Sequence, residues 1–180
     1  YTRVMASGSS SVYVGTFNGI YISTNDGGSW TGPGTGLAFG SPSAIYVNVS
    51  DLWAGMGSDG AYRSTDNGAT WSPMNTGLPA FGKNVTTITS NGSTLFVGGG
   101  SSVYSSTDNG ANWTLSSTGI PSGSTVICLY SISGAVFAGA SGGPGVSAIY
   151  RSTDNGANWS PADDGLPIPS GITAGTEPGA

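Results

Sequence analysis

The chain has 180 residues and 17.8 kDa, with 32 glycines, 7% charged residues, a net charge of -5, one cysteine and no histidine. With one cysteine and no histidine, the sequence excludes an internal disulfide, a cysteine or imidazole metal site and a histidine-based catalytic triad. Four cationic residues cannot form the positive surface that nucleic acids require, and no apolar run approaches the ~18 residues of a membrane span, so we expect no nucleic-acid partner, no membrane insertion, no metal and no cofactor.

An eight-residue box recurs four times along the chain. Its copies cover residues 23–30, 64–71, 106–113 and 152–159, and their first serines are 41, 42 and 46 residues apart. The last three copies read Ser-Thr-Asp-Asn-Gly-Ala-X-Trp, whereas the first has Asn25 and Asp26 in the opposite order. Each box tryptophan is followed six residues later by Gly-Leu or Gly-Ile. A fixed period of this length indicates a repeat architecture with one supersecondary unit per repeat.

Each unit predicts four short strands and no helix. In the third unit the strands are expected over 85–89, 94–98, 102–106 and 113–116, with Asn91-Gly92 as a tight turn. The Asp-Asn-Gly of the box predicts a further turn, because Asn and Gly accept left-handed backbone angles and Asp accepts hydrogen bonds within its own loop. The box tryptophans are expected to be buried between units. Four strands per ~42 residues is the arithmetic of a propeller blade.

The boxes resemble the Asp-box (BNR) repeat of bacterial neuraminidases, Ser-X-Asp-X-Gly-X-X-Trp, and the last three copies match it fully. The longer unit also resembles the sialidase-like propellers of photosystem II assembly factors, sortilins and xyloglucanase-type glycosidases. The resemblance implies an all-β β-propeller built from four-stranded antiparallel blades with Asp-box hairpins. Four blades are expected at about 1–37, 38–79, 80–121 and 122–167, followed by a Gly/Pro-rich tail at 168–180.

Four blades are fewer than the six or more that are usual in this family. Closure therefore requires further blades from the same protein, a homodimer with eight blades, or a small ring of four. An open arc is the least favoured arrangement, because its end blades would expose apolar faces and strand edges.

The repeated charged residues are expected to be structural. An active site is needed once, whereas Asp66, Asp108 and Asp154 recur in every full box. Arg63 and Arg151 also share one repeat position, which predicts third-strand surface residues. Sialidase activity is therefore not expected: the arginine motif that opens sialidase domains is missing, and the sole glutamate, Glu177, lies in the tail.

The candidate functional residues are those outside the repeat positions. Phe17, Phe39, Phe81 and Lys83 lie in predicted loops on the side opposite the boxes, where they are candidates for binding a protein or glycan. If the chain is a glycosidase, its carboxylates are expected among Asp59, Asp163 and Asp164, with Asp51 as a further acid to consider. Cys128 is expected to be buried and inert in an apolar first strand.

The sequence favours a non-enzymatic propeller module, extracellular or at the cell surface, that presents one loop face to a protein or glycan. The first alternative is a fragment of a xyloglucanase-type glycoside hydrolase. The second is a purely architectural repeat of a large surface adhesin.

Overall fold

The computed structural model describes residues 2–48, 51–79, 83–142 and 148–166. Within these ranges the chain forms fifteen strands and no helix, so no helix of this part could cross a membrane. The strands are β1 (Thr2–Ser7), β2 (Val12–Thr16), β3 (Gly19–Ser23), β4 (Ala44–Asn48), β5 (Asp51–Gly55), β6 (Ala61–Ser64), β7 (Ser72–Pro73), β8 (Thr87–Asn91), β9 (Thr94–Gly99), β10 (Ser102–Ser106), β11 (Thr114–Leu115), β12 (Thr125–Ile132), β13 (Ala135–Ser141), β14 (Ile149–Ser152) and β15 (Ser160–Pro161).

The strands form four antiparallel sheets, each a simple meander in chain order: β1–β3, β4–β7, β8–β11 and β12–β15. The all-β prediction is confirmed, and the boxes form the turns between third and fourth strands. The first sheet has three strands, because its fourth position is reduced to a single bridge between Ile22 and Thr31. In the third sheet the first turn falls on Gly92-Ser93, one residue later than predicted, since Asn91 pairs with Thr94.

The four sheets pack in a row as four propeller-like blades. One apolar core lies between each pair of neighbours: Tyr13, Leu52 and Trp71 between the first and second, Trp53, Val85 and Trp113 between the second and third, and Phe96, Val136 and Trp159 between the third and fourth. Contacts between sheets run through the first strands, from β1 to β4, β4 to β8 and β8 to β12. The four sheets of the described residues do not close into a ring by themselves.

Two burial predictions are wrong, both at the ends of the row. Trp30 is 43% exposed, whereas the other three box tryptophans are only 3–4% exposed. Cys128 is exposed instead of buried. A β-bulge between Val126 and Cys128 shifts the register of β12, a strand of the last sheet. Each of these residues lies in a sheet that has a neighbour on one face only.

Candidate functional site

Each full box is closed by its own aspartate. In the second box, Oδ1 of Asp66 accepts hydrogen bonds from the Ser64 hydroxyl (2.7 Å) and the Thr70 N–H (2.8 Å), and Oδ2 accepts one from the Thr70 hydroxyl (2.5 Å). The first box achieves the same closure without a charge, since Oδ1 of Asn25 accepts the Ser23 hydroxyl (2.9 Å) and the Ser29 N–H (2.8 Å). In the second box, both oxygens of the Asp66 carboxylate therefore accept hydrogen bonds within the turn.

These hydrogen bonds change the acidity of the box aspartates. The hydroxyl and the N–H of Thr70, followed by the Ser64 hydroxyl, lower the pKa of Asp66 from 3.8 to about 2. The pKa of Asp108 falls to about 2 mainly through the Asn112 side chain, and that of Asp154 mainly through the Asn158 N–H. A carboxylate stabilised as an anion is a poor proton donor. The box aspartates are thus turn-forming groups, as their repetition predicts.

A backbone latch joins each blade to the next one. The N–H of Trp113 donates to the Thr76 carbonyl of the preceding blade (2.9 Å), and its indole N–H donates to the Met74 carbonyl (2.8 Å). A Cβ at Gly77 would lie 2.0 Å from the Trp113 carbonyl oxygen, so only glycine permits this approach. Gly36 with Trp71 and Gly119 with Trp159 repeat the contact. The glycine of each of the first three Trp-X5-Gly runs therefore contacts the box tryptophan of the next blade.

A second contact places an aromatic ring over the box glycine of the following blade. A Cβ at Gly110 would lie 2.2 Å from Cη2 of Trp53, and one at Gly156 would lie 2.6 Å from Cε1 of Phe96. Trp53 and Phe96 occupy the same position of the second strand in neighbouring blades, and both are fully buried. Sequence reasoning missed this pairing, although an aromatic residue two positions before a glycine recurs in each second strand and is its signal.

The two ends of the sheets differ in what they present. One end, the box face, carries the boxes together with the turns between the first and second strands of each sheet. Asn91, at such a turn, donates to Asn155 in the box of the next blade (3.0 Å). The loop face, at the opposite end, carries the turns between second and third strands and the segments that lead from one sheet to the next. Antiparallel meanders enforce this separation, because successive turns alternate between the two ends. The described candidate site residues belong to the loop face, except Asp51, which begins β5 on the box face and accepts a hydrogen bond from Asn109 of the next box.

Phe17 and Phe39 come together on the loop face. Phe17 follows β2 and Phe39 lies in the segment leading to β4, and their rings meet edge to face with centroids 5.3 Å apart at 88°. The pair stays open to solvent, since Phe17 is 56% exposed and Phe39 is 84% exposed. The Thr16 hydroxyl bonds to the Gly19 carbonyl (3.1 Å) and accepts the Asn18 N–H (3.2 Å), which fixes the turn beneath Phe17. Phe81 lies outside the described residues.

Lys83 and Asp59 both lie at the turn between β5 and β6, the next position along the loop face. Lys83 is half-buried, and a Cβ at Gly60 would lie 2.7 Å from its Cδ, so its stem crosses the turn between β5 and β6. Asp59 is exposed in that turn, which Asn75 fixes by donating to the Asp59 carbonyl (3.0 Å). Burial, assisted by the charge of Asp59, raises the pKa of Tyr62.

The candidate acids are not brought together as a catalytic pair. Asp163 and Asp164 follow β15 on the fourth sheet, and the third sheet separates them from Asp59. Oδ2 of Asp163 accepts the Ala148 N–H (2.9 Å), which ties two loops of one blade together. Asp51 is buried in an ion pair with Arg63 (2.7 Å), and Arg63 lies over the Trp53 ring. Asp51 thus serves the packing of the second sheet.

Two clefts lie between neighbouring blades beside the boxes. One of about 430 Å³ is lined by Asn91, Gly134 and Asn155, and one of about 550 Å³ by Ile22, Pro33 and Asp66 among others. Neither cleft includes a candidate residue of the loop face. In the part of the chain that the structure describes, no group of three acidic or cysteine side chains is placed to hold a metal ion.

Comparison with known proteins supports the repeat assignment. Residues 62–73 and 150–161, within the second and fourth units, match the family model described as BNR/Asp-box repeat. No curated protein matches this chain in sequence. The chain thus carries the Asp-box repeats that its sequence predicts.

Solved structures show a similar fold at low sequence identity. An ancestral GH74 enzyme matches with a TM-score of 0.71 and 20% identity over 89% of this chain and 24% of its own. The GH74 xyloglucanase from Xanthomonas campestris gives 0.61 and 18% over 88% and 29%. The extracellular domain of a hybrid two component system from B. thetaiotaomicron gives 0.70 and 14% over 88% and 22%. This chain therefore spans about a quarter of proteins whose fold it shares in part.

Proposed function

We propose that the chain is a non-enzymatic propeller module, extracellular or at the cell surface, that binds a glycan or protein through its loop face. The Phe17–Phe39 pair carries this proposal. The Phe39 ring, at 84% exposure, leaves most of its apolar surface in contact with water, and neither phenylalanine occupies a repeat position that packs between blades. Two rings held at 88° present one face and one edge to the same ligand.

A glycan is the occupant that this surface favours. Sugar rings offer apolar C–H faces that stack on exposed aromatic rings and hydroxyls that need no charged partner, and only 7% of the residues here are charged. With a net charge of -5, the chain has few cations to attract an acidic ligand. The GH74 xyloglucanase similarity makes β-linked plant polysaccharide the first class to test.

The test is affinity electrophoresis against a panel of soluble polysaccharides that includes xyloglucan. Retardation by one of them is expected for the wild-type chain and should be lost in the Phe17→Ala/Phe39→Ala double variant. Leu115→Ala is the matched control, because Leu115 is an apolar side chain of similar exposure on β11. Wild-type mobility that no polysaccharide changes, or equal loss in the control, would refute glycan binding at this pair.

A fragment of a glycoside hydrolase is the second candidate, favoured by the two GH74 similarities. It requires two carboxylates about 5–9.5 Å apart across the scissile bond. Release of reducing sugar by the wild-type chain, abolished by Asp59→Asn but not by Phe39→Ala, would support the enzyme over the binding module. Absence of both turnover and binding would favour the purely architectural repeat.

A further inference from the structure

The last sheet presents half of the contact that joins neighbouring blades. Phe137 stands on β13 where Trp53 stands on β5 and Phe96 on β9, yet it is only partly buried. Gly165-Leu166 occupies the sequence position of Gly77-Leu78, whose glycine contacts the next tryptophan. A Cβ at Gly165, however, would meet nothing within 4 Å, and Leu166 is exposed. Among the described residues, no box or tryptophan lies against these groups.

The first sheet presents the other half. Trp30 stands where Trp71, Trp113 and Trp159 receive the latch of the preceding blade, and it is exposed. A Cβ at Gly27 would approach only Trp30 of its own box, at 3.8 Å, so among the described residues no ring from another blade covers this box glycine. The strands next to the two end surfaces are also apolar, with Met5 exposed on β1 and Ile127, Tyr130 and Ile132 exposed on β12.

Charge is complementary between the two ends. At the joint of the second and third blades, Arg63 donates to Oδ2 of Asp51 (2.7 Å), and the box residue Asn109 donates to the same oxygen (3.2 Å). On the last sheet Arg151 lies over Phe137 as Arg63 lies over Trp53, but Ala135 replaces the acid.

The first box supplies the missing acid. Asp26 takes the place of Asn109, is exposed, and has φ of 54° against 56° for Asn109. Docking the first box on the last sheet would therefore bring Asp26 to Arg151, where the inner joint has Asp51. The last sheet lacks the acid that pairs with its arginine, and the first box carries one, Asp26, in the corresponding place.

We propose that the last sheet of one chain docks on the first sheet of a second copy, and that the reciprocal contact closes two chains into a ring of eight blades. Both new joints repeat those between the second, third and fourth blades: Phe137 covers Gly27 of the partner, and Gly165 packs on the backbone of the partner's Trp30. Eight blades lie within the range of known propellers. The ring has twofold symmetry and leaves no blade face exposed.

The test is the mass of the full chain by light scattering, with two charge-reversal variants. The wild type is expected at about twice its 17.8 kDa. Arg151→Glu places two acids at each new joint, and Asp26→Arg places two cations there, so each variant alone should dissociate at a concentration roughly tenfold higher or more. In an equimolar mixture of the two variants, one joint pairs the introduced acid with the introduced cation and the other keeps the native Arg151–Asp26 pair. The mixture should therefore regain the doubled mass.

Recovery on mixing separates a specific joint from simple misfolding, because two misfolded chains would not repair one another. A wild type of single-chain mass at its highest soluble concentration would overturn the proposal. So would a doubled mass that either variant leaves intact, a mixture that stays at single-chain mass, or open polymers longer than two chains.

Discussion

Gly110 is the position where the packing between blades leaves no room for a methyl group. In a Gly110→Ala variant, the new Cβ would lie 2.2 Å from Cη2 and 2.8 Å from Cζ3 of Trp53. The Trp53 ring is fully buried and packs edge to face on Trp113 with centroids 6.2 Å apart. The ring cannot swing towards solvent, so the clash must be relieved by moving the two blades apart.

The cost has two parts. Gly110 has φ of 80°, and an L-residue in this left-handed region costs about 1–2 kcal/mol. Forcing one methyl group into a packed core adds about 1–3 kcal/mol. Gly92 of the same sheet is the matched control, because its φ is 59° and a Cβ there would meet nothing within 4 Å. Gly92→Ala should therefore carry the first cost only.

Equilibrium urea unfolding of the two variants measures the difference. Gly110→Ala should lose about 2–5 kcal/mol and Gly92→Ala about 1–2 kcal/mol, with similar denaturant slopes. Trp53→Phe, which shortens the opposing ring, should cost less in the Gly110→Ala background than in the wild type. Equal losses for the two glycine variants, or no coupling with Trp53, would show that the blades tolerate a wider spacing and refute the reasoning.

Three further predictions concern other contacts of the blades. The pKa of Asp108 is lowered to about 2, so the stability that its carboxylate contributes is present above about pH 4 and is lost as the pH falls towards 2. Asp108→Asn, which copies Asn25, should therefore weaken the dependence of the melting temperature on pH between about 4 and 2. An unchanged slope of melting temperature against pH would contradict this. Ser116→Ala removes a buried hydrogen bond to the Gly156 carbonyl and should cost about 1–3 kcal/mol in urea unfolding, against about zero for the exposed Ser101→Ala. A double-mutant cycle of Asp51→Ala and Arg63→Ala should give a coupling of about 1 kcal/mol, and strict additivity would show that the ion pair adds nothing.

The local structure of each unit could be predicted from the sequence because its causes are local. The box turn follows from Asn67, Asn109 and Asn155, which adopt φ of 56–60°, and from a carboxylate that bonds within its own loop. Strand positions follow from alternating β-branched residues between glycine and asparagine turns.

The relations between units could not be predicted in the same way. The exposure of Trp30 and Cys128 depends on whether another blade lies beside them, and the repeat pattern is identical in either case. The loop face is intermediate. The meander places Phe17 and Phe39 at one end of the sheets, but their contact at 5.3 Å depends on the path of the segment before β4.

The latch between Trp113 and the Thr76-Gly77 backbone has a consequence for how such a chain changes over generations. Every inner joint uses the same atoms at the same repeat positions, and the box starts lie 41 or 42 residues apart at the first two intervals. An in-frame duplication or deletion of 41 or 42 residues would therefore add or remove a whole blade and leave an equivalent contact between the two blades that become neighbours. Gene rearrangement can thus alter the length of the row without having to invent a new interface.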